Sequence, residues 1–470
     1  MVAECSGQKL EFQGLARREV IARFDGGDIS SDGGSLLLRE VEGRTKVVEQ
    51  FARCFEDHRN PDLIEHRAAD LVTQRVFGLA LGYEDLNDHD DLRCDPLFAV
   101  AVGKADPKGE SRVRERDRGK ALAGKSTLNR LELTRADATA KERYKKIVLD
   151  GGAVDQLLVD LFLQAHPEPP DEIEIDFDAT DDPLHGKQEG RFFHGYYGHY
   201  CYLPLYAFCG EFLLCARLRP SNIDASAGTV EELERIVTQL RQAWPELKIL
   251  VRGDSGFCRE PIMAWCEEND VNYVFGIAQN ARLLRRIGGS LKRMAKLHEQ
   301  TCEPVREFRD FRYRTEDSWS RARRVVAKAE HLPKGANPRF IVTSLTPEEI
   351  DAQTLYETVY CARGDMENRI KEQQLFLFAD RTSTATMRAN QIRLYFSSVA
   401  YVLMHALRRI GLHATEFARA QCNTIRLKLF KIGALVRVTF RKVWVSLSQS
   451  YPYAELFARV HANLASTPPG

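Results

Sequence analysis

Apolar residues recur along most of this chain at one of two spacings, every three to four residues or every second residue, and the switch between them predicts its elements. Helical spacing over residues 35–55 and again over 62–81 predicts two amphipathic helices and a helical N-terminal region. Another helical stretch, 147–166, is followed by strict alternation in residues 172–180 (EIEIDFDAT). Successive strand side chains point to opposite faces, so Ile173, Ile175 and Phe177 share one side and Glu174, Asp176 and Asp178 the other. That is a core strand with an acidic face. Strand-like runs at 200–208 and 212–218, separated by Cys209, Gly210 and Glu211, predict a hairpin. Thr229 with Glu232 three residues on has the form of a capping box for a helix over 229–244, striped by Val230, Leu233, Ile236, Val237 and Leu240. A strand at 248–251 leading to Asp254, a helix at 260–268 and a strand at 271–277 complete the order β-β-β-α-β-α-β.

Between 279 and 346 the pattern changes to a basic helical piece (282–296) and strand-like segments near 308–314, 321–329 and 340–344, which reads as an inserted α+β subdomain. Two long helices are predicted next, over 347–378, which carries Glu367, and over 384–411. Residues 381–450 hold twelve Lys and Arg against one acid, Glu416, interleaved with Tyr, Phe and Trp. Such a stripe suits a phosphate backbone, and Arg437, Arg441 and Lys442 are its candidate DNA contacts. The division expected is a helical DNA-binding region at 1–166, the first part of the core at 167–278, the insertion at 279–346, the second part of the core at 347–415 and a basic C-terminal region at 416–470.

Composition narrows the function classes. A chain of 470 residues exceeds one ordinary core, and its balance of 67 basic against 67 acidic residues leaves nucleic-acid affinity to the distribution of charge. Eleven cysteines without a C-x-x-C pair read as reduced thiols of a cytoplasmic protein. The N-terminal residues have no apolar signal core, and the longest apolar run, 394–407, is short and broken by serines and a histidine, so no membrane span is expected. The acidic stretch 84–95 lacks the glycine and glutamate of a calcium loop. Residues 119–126 (GKALAGKS) do fit the phosphate-loop pattern, which would make Lys125 a nucleotide ligand of a P-loop NTPase. That loop needs a buried strand before it, whereas ESRVRERDR precedes it here, and Ser126 reads instead as the N-cap of a helix starting at Thr127.

An acid on the first strand, another at the end of the fourth and a third on a later helix is the arrangement by which ribonuclease-H-like (RNase H-like) nucleases gather distant carboxylates. The fold expected is therefore α/β, an RNase H-like core with a mixed sheet, then a catalytic helix, joined to the insertion and the helical N-terminal domain. Residues 178–205 (DATDDPLHGKQEGRFFHGYYGHYCYLPL), 251–257 (VRGDSGF) and 360–383 (YCARGDMENRIKEQQLFLFADRTS), with TLNRLEL at 127–133, resemble the motif blocks of DDE-type transposases of bacterial insertion sequences, the DDE domain group 1 family, over nearly the whole chain. The resemblance implies a catalytic and metal-binding trio of Asp178, Asp254 and Glu367 holding two Mg²⁺ or Mn²⁺ ions, with Asp176 the alternative first ligand. It implies cut-and-paste transposition on DNA, meaning terminal inverted repeats and a target, by a homodimer associated with the nucleoid. A catalytically inactive DNA-binding protein that keeps the fold is the alternative, which an intact Asp, Asp and Glu set argues against.

Related transposases carry Y-x2-R-x3-E-x6-K on the third-carboxylate helix. Tyr360, Arg363 and Glu367 match, and by the resemblance Tyr360 and Arg363 hold phosphates, but the final position is Gln374. Lys371 shares the face of Glu367 and either takes the missing cation's place at the DNA or forms an ordinary i, i+4 pair with Glu367. Lone histidines in turns are mostly structural, so His185 and His194 stay outside the catalytic set.

Overall fold

The computed structural model describes residues 9–466, which fall into two compact units, one of residues up to Leu149 together with those from Val399 onward, the other of Asp150–Ser398. The second unit holds the predicted core. Its main elements are α1 (Gly151–Gln164), β1 (Glu172–Ala179), β2 (Leu205–Cys209), β3 (Phe212–Arg217), α2 (Thr229–Ala243), β4 (Lys248–Gly253), α3 (Glu260–Glu268), β5 (Asn272–Ile277), α4 (Ala281–Thr301), β6 (Val305–Tyr313), β7 (Arg323–Leu332), β8 (Arg339–Thr343), α5 (Gly364–Leu377) and the part of α6 (Met387–Ala406) up to Ser398. The spatial order is β3-β2-β1-β4-β5-β8-β7-β6, a mixed sheet in which β1, β4 and β5 run parallel and every other neighbouring pair antiparallel.

The alternation read from β1 sets its packing. Ile173, Ile175 and Phe177 join Leu233, Ile236, Ile249 and Val251 in one buried cluster beneath α2. On the opposite face Leu250, Val274, Val326 and Ile341 pack against Leu355 and Tyr356, so the residues that lead into α5 lie over the acidic side of the sheet.

Four features differ from expectation. Residues 279–346 do not stand apart from the core: β8 pairs with β5, and β7 and β6 continue the same sheet, because Phe340 and Val342 of β8 and Val325 of β7 are apolar enough to extend its core cluster. The basic C-terminal stretch belongs with the N-terminal unit, where Ala434–Val438 pairs with both Val443–Leu447 and Asp28–Ser30. In the same unit Gly34, just before the helix Ser35–Thr45, packs closely: a Cβ there would lie 1.8 Å from the Leu429 carbonyl oxygen, so only glycine fits. The run 200–208 is two strands, His199–Tyr202 and β2, since Pro204 between them has no N–H for a ladder. His199–Tyr202 pairs instead with Asp182–Pro183 and Phe192–His194 in a small sheet of its own.

Glu232 also departs from its expected capping role. With Asp155 of α1 it binds Arg217 of β3, at 2.5 and 2.6 Å, and Asp155 accepts a further hydrogen bond from the Tyr395 hydroxyl of α6 at 2.8 Å. The two buried acids, bound to a half-exposed Arg217, tie helices of the core to the edge of its sheet. Among the described residues no helix is long and apolar enough to cross a membrane.

Candidate active site

Parallel pairing of β1 with β4 sets Asp176 beside Arg252 and Phe177 beside Gly253. One residue further, Asp178 and Asp254 leave the two adjacent strands at the same level. Asp176 is already engaged: Arg252 grips it with Nε and Nη2 at 2.7 and 2.8 Å, both side chains buried, and donates from Nη1 to the Val359 carbonyl at 2.8 Å. A bidentate arginine clamp of this kind fixes geometry as well as charge. It fastens the segment before α5 to the acidic face of the sheet.

That segment is not a regular helix. Hydrogen bonding widens to the π type over Leu355–Tyr360 and tightens to 3₁₀ over Cys361–Arg363 before α5 begins at Gly364. Irregular turns of this type recur at functional sites. Tyr360 reaches down to β5, where a Cβ on Gly276 would meet its hydroxyl at 2.6 Å, so a side chain there would push the tyrosine aside.

Arg363 is the hub of the three candidate carboxylates. Its Nη1 lies 3.9 Å from Asp178 Oδ2 and its Nη2 lies 3.5 Å from Glu367 Oε1. Burial pushes the Asp178 carboxyl up to about 6, Arg363 opposes the rise, and the charges of Asp254 and Glu367 add to it. Arg363 itself holds its proton more firmly than a free guanidinium, because Tyr360, Asp178, Asp254 and Glu367 together outweigh the cost of its burial. Its Nε and Nη1 are buried without a hydrogen-bond partner. Asp254 Oδ1 accepts the Gly256 N–H at 2.7 Å and Asp178 Oδ1 its neighbour Ala179's at 2.9 Å, which orients both carboxyl groups.

The donor chemistry, three carboxylates, suits a hard divalent cation. Among the described residues, however, no three His, Cys, Asp or Glu side chains stand close enough together to hold a metal ion as they are placed. The guanidinium of Arg363 is the cation that Asp178 and Glu367 share.

Gln374, in the place of the signature lysine, points away from this hub. Its Nε2 donates to Asp182 Oδ1 at 2.9 Å and to the Asp181 carbonyl at 3.2 Å. Lys371 is exposed and makes no ion pair with Glu367, which faces Arg363 instead. Arg437 and Lys442 flank Trp444, at 5.9 and 5.2 Å from its ring, on the hairpin of the other unit, with Arg441 at the exposed turn. Lys125 binds Asn87 and Asp90 at 3.0 and 3.4 Å, the helix there starts at Lys125 itself, and only a short 3₁₀ turn, Glu115–Asp117, precedes Gly119, so the strand a phosphate loop needs is missing.

Sequence reasoning missed Arg252 and Asp182. The arginine sits in the quoted block VRGDSGF, but only the strand register shows that it faces Asp176.

A mixed α/β core that draws acids from two parallel strands and a later helix around one arginine defines the class of molecule. The chain belongs to the transposase DDE domain group 1 family, which matches residues 12–469, and is a DNA transposase. No curated protein matches it. Among solved structures it is similar to a piggyBac transposase in a synaptic complex with hairpin DNA, at 11% identity and a TM-score of 0.39, over 85% of this chain and 80% of that one.

Proposed function

We propose that this transposase cuts DNA at the ends of a bacterial insertion sequence and joins those ends to a target by divalent-metal-dependent phosphodiester chemistry at Asp178, Asp254 and Glu367. The observation that carries the reading is the sharing of Arg363 by Asp178 and Glu367, acids 189 positions apart in the chain, beside Asp254. Asp178, Asp254 and Glu367 would hold Mg²⁺ or Mn²⁺. Two such ions, when bound, make an attacking hydroxyl more acidic and stabilise the leaving oxygen.

The chain's own residues do the rest. Arg363, whose Nε and Nη1 make no hydrogen bond although Nη1 faces Asp178 at 3.9 Å, suits a DNA phosphate, with Tyr360 alongside to position it. Lys371, exposed one turn beyond Glu367, is placed to meet the backbone further along. Arg437, Arg441 and Lys442 grip phosphates of the DNA backbone. The protein works as a homodimer on paired element ends, in the cytoplasm at the nucleoid.

A nicking assay with Mg²⁺ on DNA carrying the element's ends, run beside a gel shift, tests the reading. Metal-dependent cleavage is expected. Tight binding of the ends with no cleavage in Mg²⁺ or Mn²⁺ would leave a DNA-binding protein that only keeps the fold.

A further inference from the structure

The hairpin of Phe192–His194 and His199–Tyr202 carries more exposed aromatic surface than its size explains. Cross-strand pairing sets Phe193 opposite Tyr200, and their rings meet edge to face at 5.6 Å while remaining 58% and 43% exposed. Arg191 lies over the Tyr200 ring at 3.8 Å, on the same side of the hairpin. Tyr196, at the tip, is 86% exposed. A lone exposed ring is ordinary, but two exposed rings set edge to face, with a guanidinium over one of them, form a cationic aromatic platform.

The opposite side of this hairpin is tied to the candidate active site. His199 Nε2 binds Asp181 Oδ2 at 2.7 Å, three residues after Asp178. Tyr197 stacks obliquely on His194, and it lies close enough to Asp181 and Asp178 for both to raise its pKa, after burial. The platform is therefore carried at a fixed offset from β1 of the core. Between 185 and 200 there are one lysine, one arginine and three histidines against a single acid, Glu189.

We propose that this hairpin is a stacking platform for unpaired bases of the DNA strand that enters the active site, with Phe193 and Tyr200 taking the base faces and Arg191 the adjoining phosphate. The inference rests on the transposase reading for the identity of its strand, and it assigns the hairpin a ligand class, unstacked nucleotides. The chemistry favours a single-stranded nucleic acid: every base has a π face, so rings of this type hold single strands with little sequence preference, and neighbouring cations supply backbone attraction.

The test is a short oligothymidylate carrying one 2-aminopurine, whose fluorescence falls when its base stacks on an aromatic ring. The full-length protein should quench it without any divalent metal, and Phe193→Leu or Tyr200→Leu should each weaken binding by about tenfold, the scale of one lost base stack. Tyr200→Phe keeps the ring and should retain both quenching and affinity. That contrast separates stacking from loss of fold, because leucine and phenylalanine are both tolerated on an exposed strand. Equal affinity in all variants would overturn the proposal. So would unchanged quenching with loss of self-association in sedimentation, which would make the platform a contact between copies. Wild-type nicking in Mg²⁺ without any quenching would sink the hairpin inference and leave the transposase reading standing; quenching without nicking would do the reverse.

Discussion

Gln374 donates a hydrogen bond to the fully buried carboxyl of Asp182 at 2.9 Å, joining α5 to the chain four residues beyond Asp178. The position that related sequences fill with a lysine is thus spent here on fixing one acid-bearing segment against another. Gln374→Ala should strip Asp182 of that donor and cost about 1–3 kcal/mol, the usual loss when a buried acceptor goes unpaired. Chemical denaturation measures it; an unchanged midpoint would show that the contact contributes nothing.

Asp182 also makes stability depend on pH. Burial pushes its carboxyl up to about 8, with Asp380 and Asp181 adding to the rise and Gln374 opposing it. In the unfolded chain the group ionises near 3.8, so between that value and about 8 the folded state binds more protons. This contribution to stability therefore falls as pH rises through that window. Asp182→Asn should flatten the decline in melting temperature between pH 5 and 8, and a decline of the same slope in the variant would assign it to other groups.

Asp178→Asn, Asp254→Asn and Glu367→Gln should each abolish cleavage while leaving binding to element ends largely intact. Asp176→Asn should behave differently, since breaking the buried pair with Arg252 costs about 3–5 kcal/mol and shows as a lower melting temperature. Cleavage by Asp178→Asn would transfer the ligand role elsewhere on the strand.

Lys371 is free to contact DNA, and a mere surface pair would have been worth only about 0.3–0.5 kcal/mol. Lys371→Ala should slow cleavage at saturating DNA with no change in melting temperature. Gln374→Lys in that background should not restore the rate, because position 374 faces Asp182. Recovery would mean that the lysine swings toward the hub.

Neutralising Arg437, Arg441 and Lys442 should weaken binding to all DNA sequences alike and flatten the dependence of log K on log salt by roughly 0.9 per lost phosphate contact. Titrations at several salt concentrations decide it. A selective loss for one sequence would assign these residues to base reading instead.

The core was legible where one face of an element is buried. Alternation in β1 marked the acidic face that Asp178 shares with Glu174 and Asp176, and the apolar run of β4 led to a second carboxylate, Asp254, while the choice of Asp178 over Asp176 came from the family resemblance. The N-terminal hairpin, Leu10–Leu15 with Arg18–Ala22, escaped because nearly all of its side chains are exposed and it leaves no burial pattern to read. The strands at 305–343 were seen individually, yet nothing local says that β8 returns to the edge of β5. Pairing partners far apart in sequence are a tertiary fact. The same holds for Arg363, whose motif position was evident and whose contact with Asp178 was not.

That return of β8 to β5 has a practical side. The chain leaves the middle of the sheet at Ile277 and re-enters it at Arg339, so the outermost strands and their turn at Gly335 form a detour whose two ends are anchored side by side. Cargo spliced into the turn, a fluorescent protein or an affinity handle, would lengthen the detour without displacing the segment that delivers Glu367. The entropy of a longer loop grows only slowly with its length. The far end of this sheet is thus a natural port for labelling the transposase while it works.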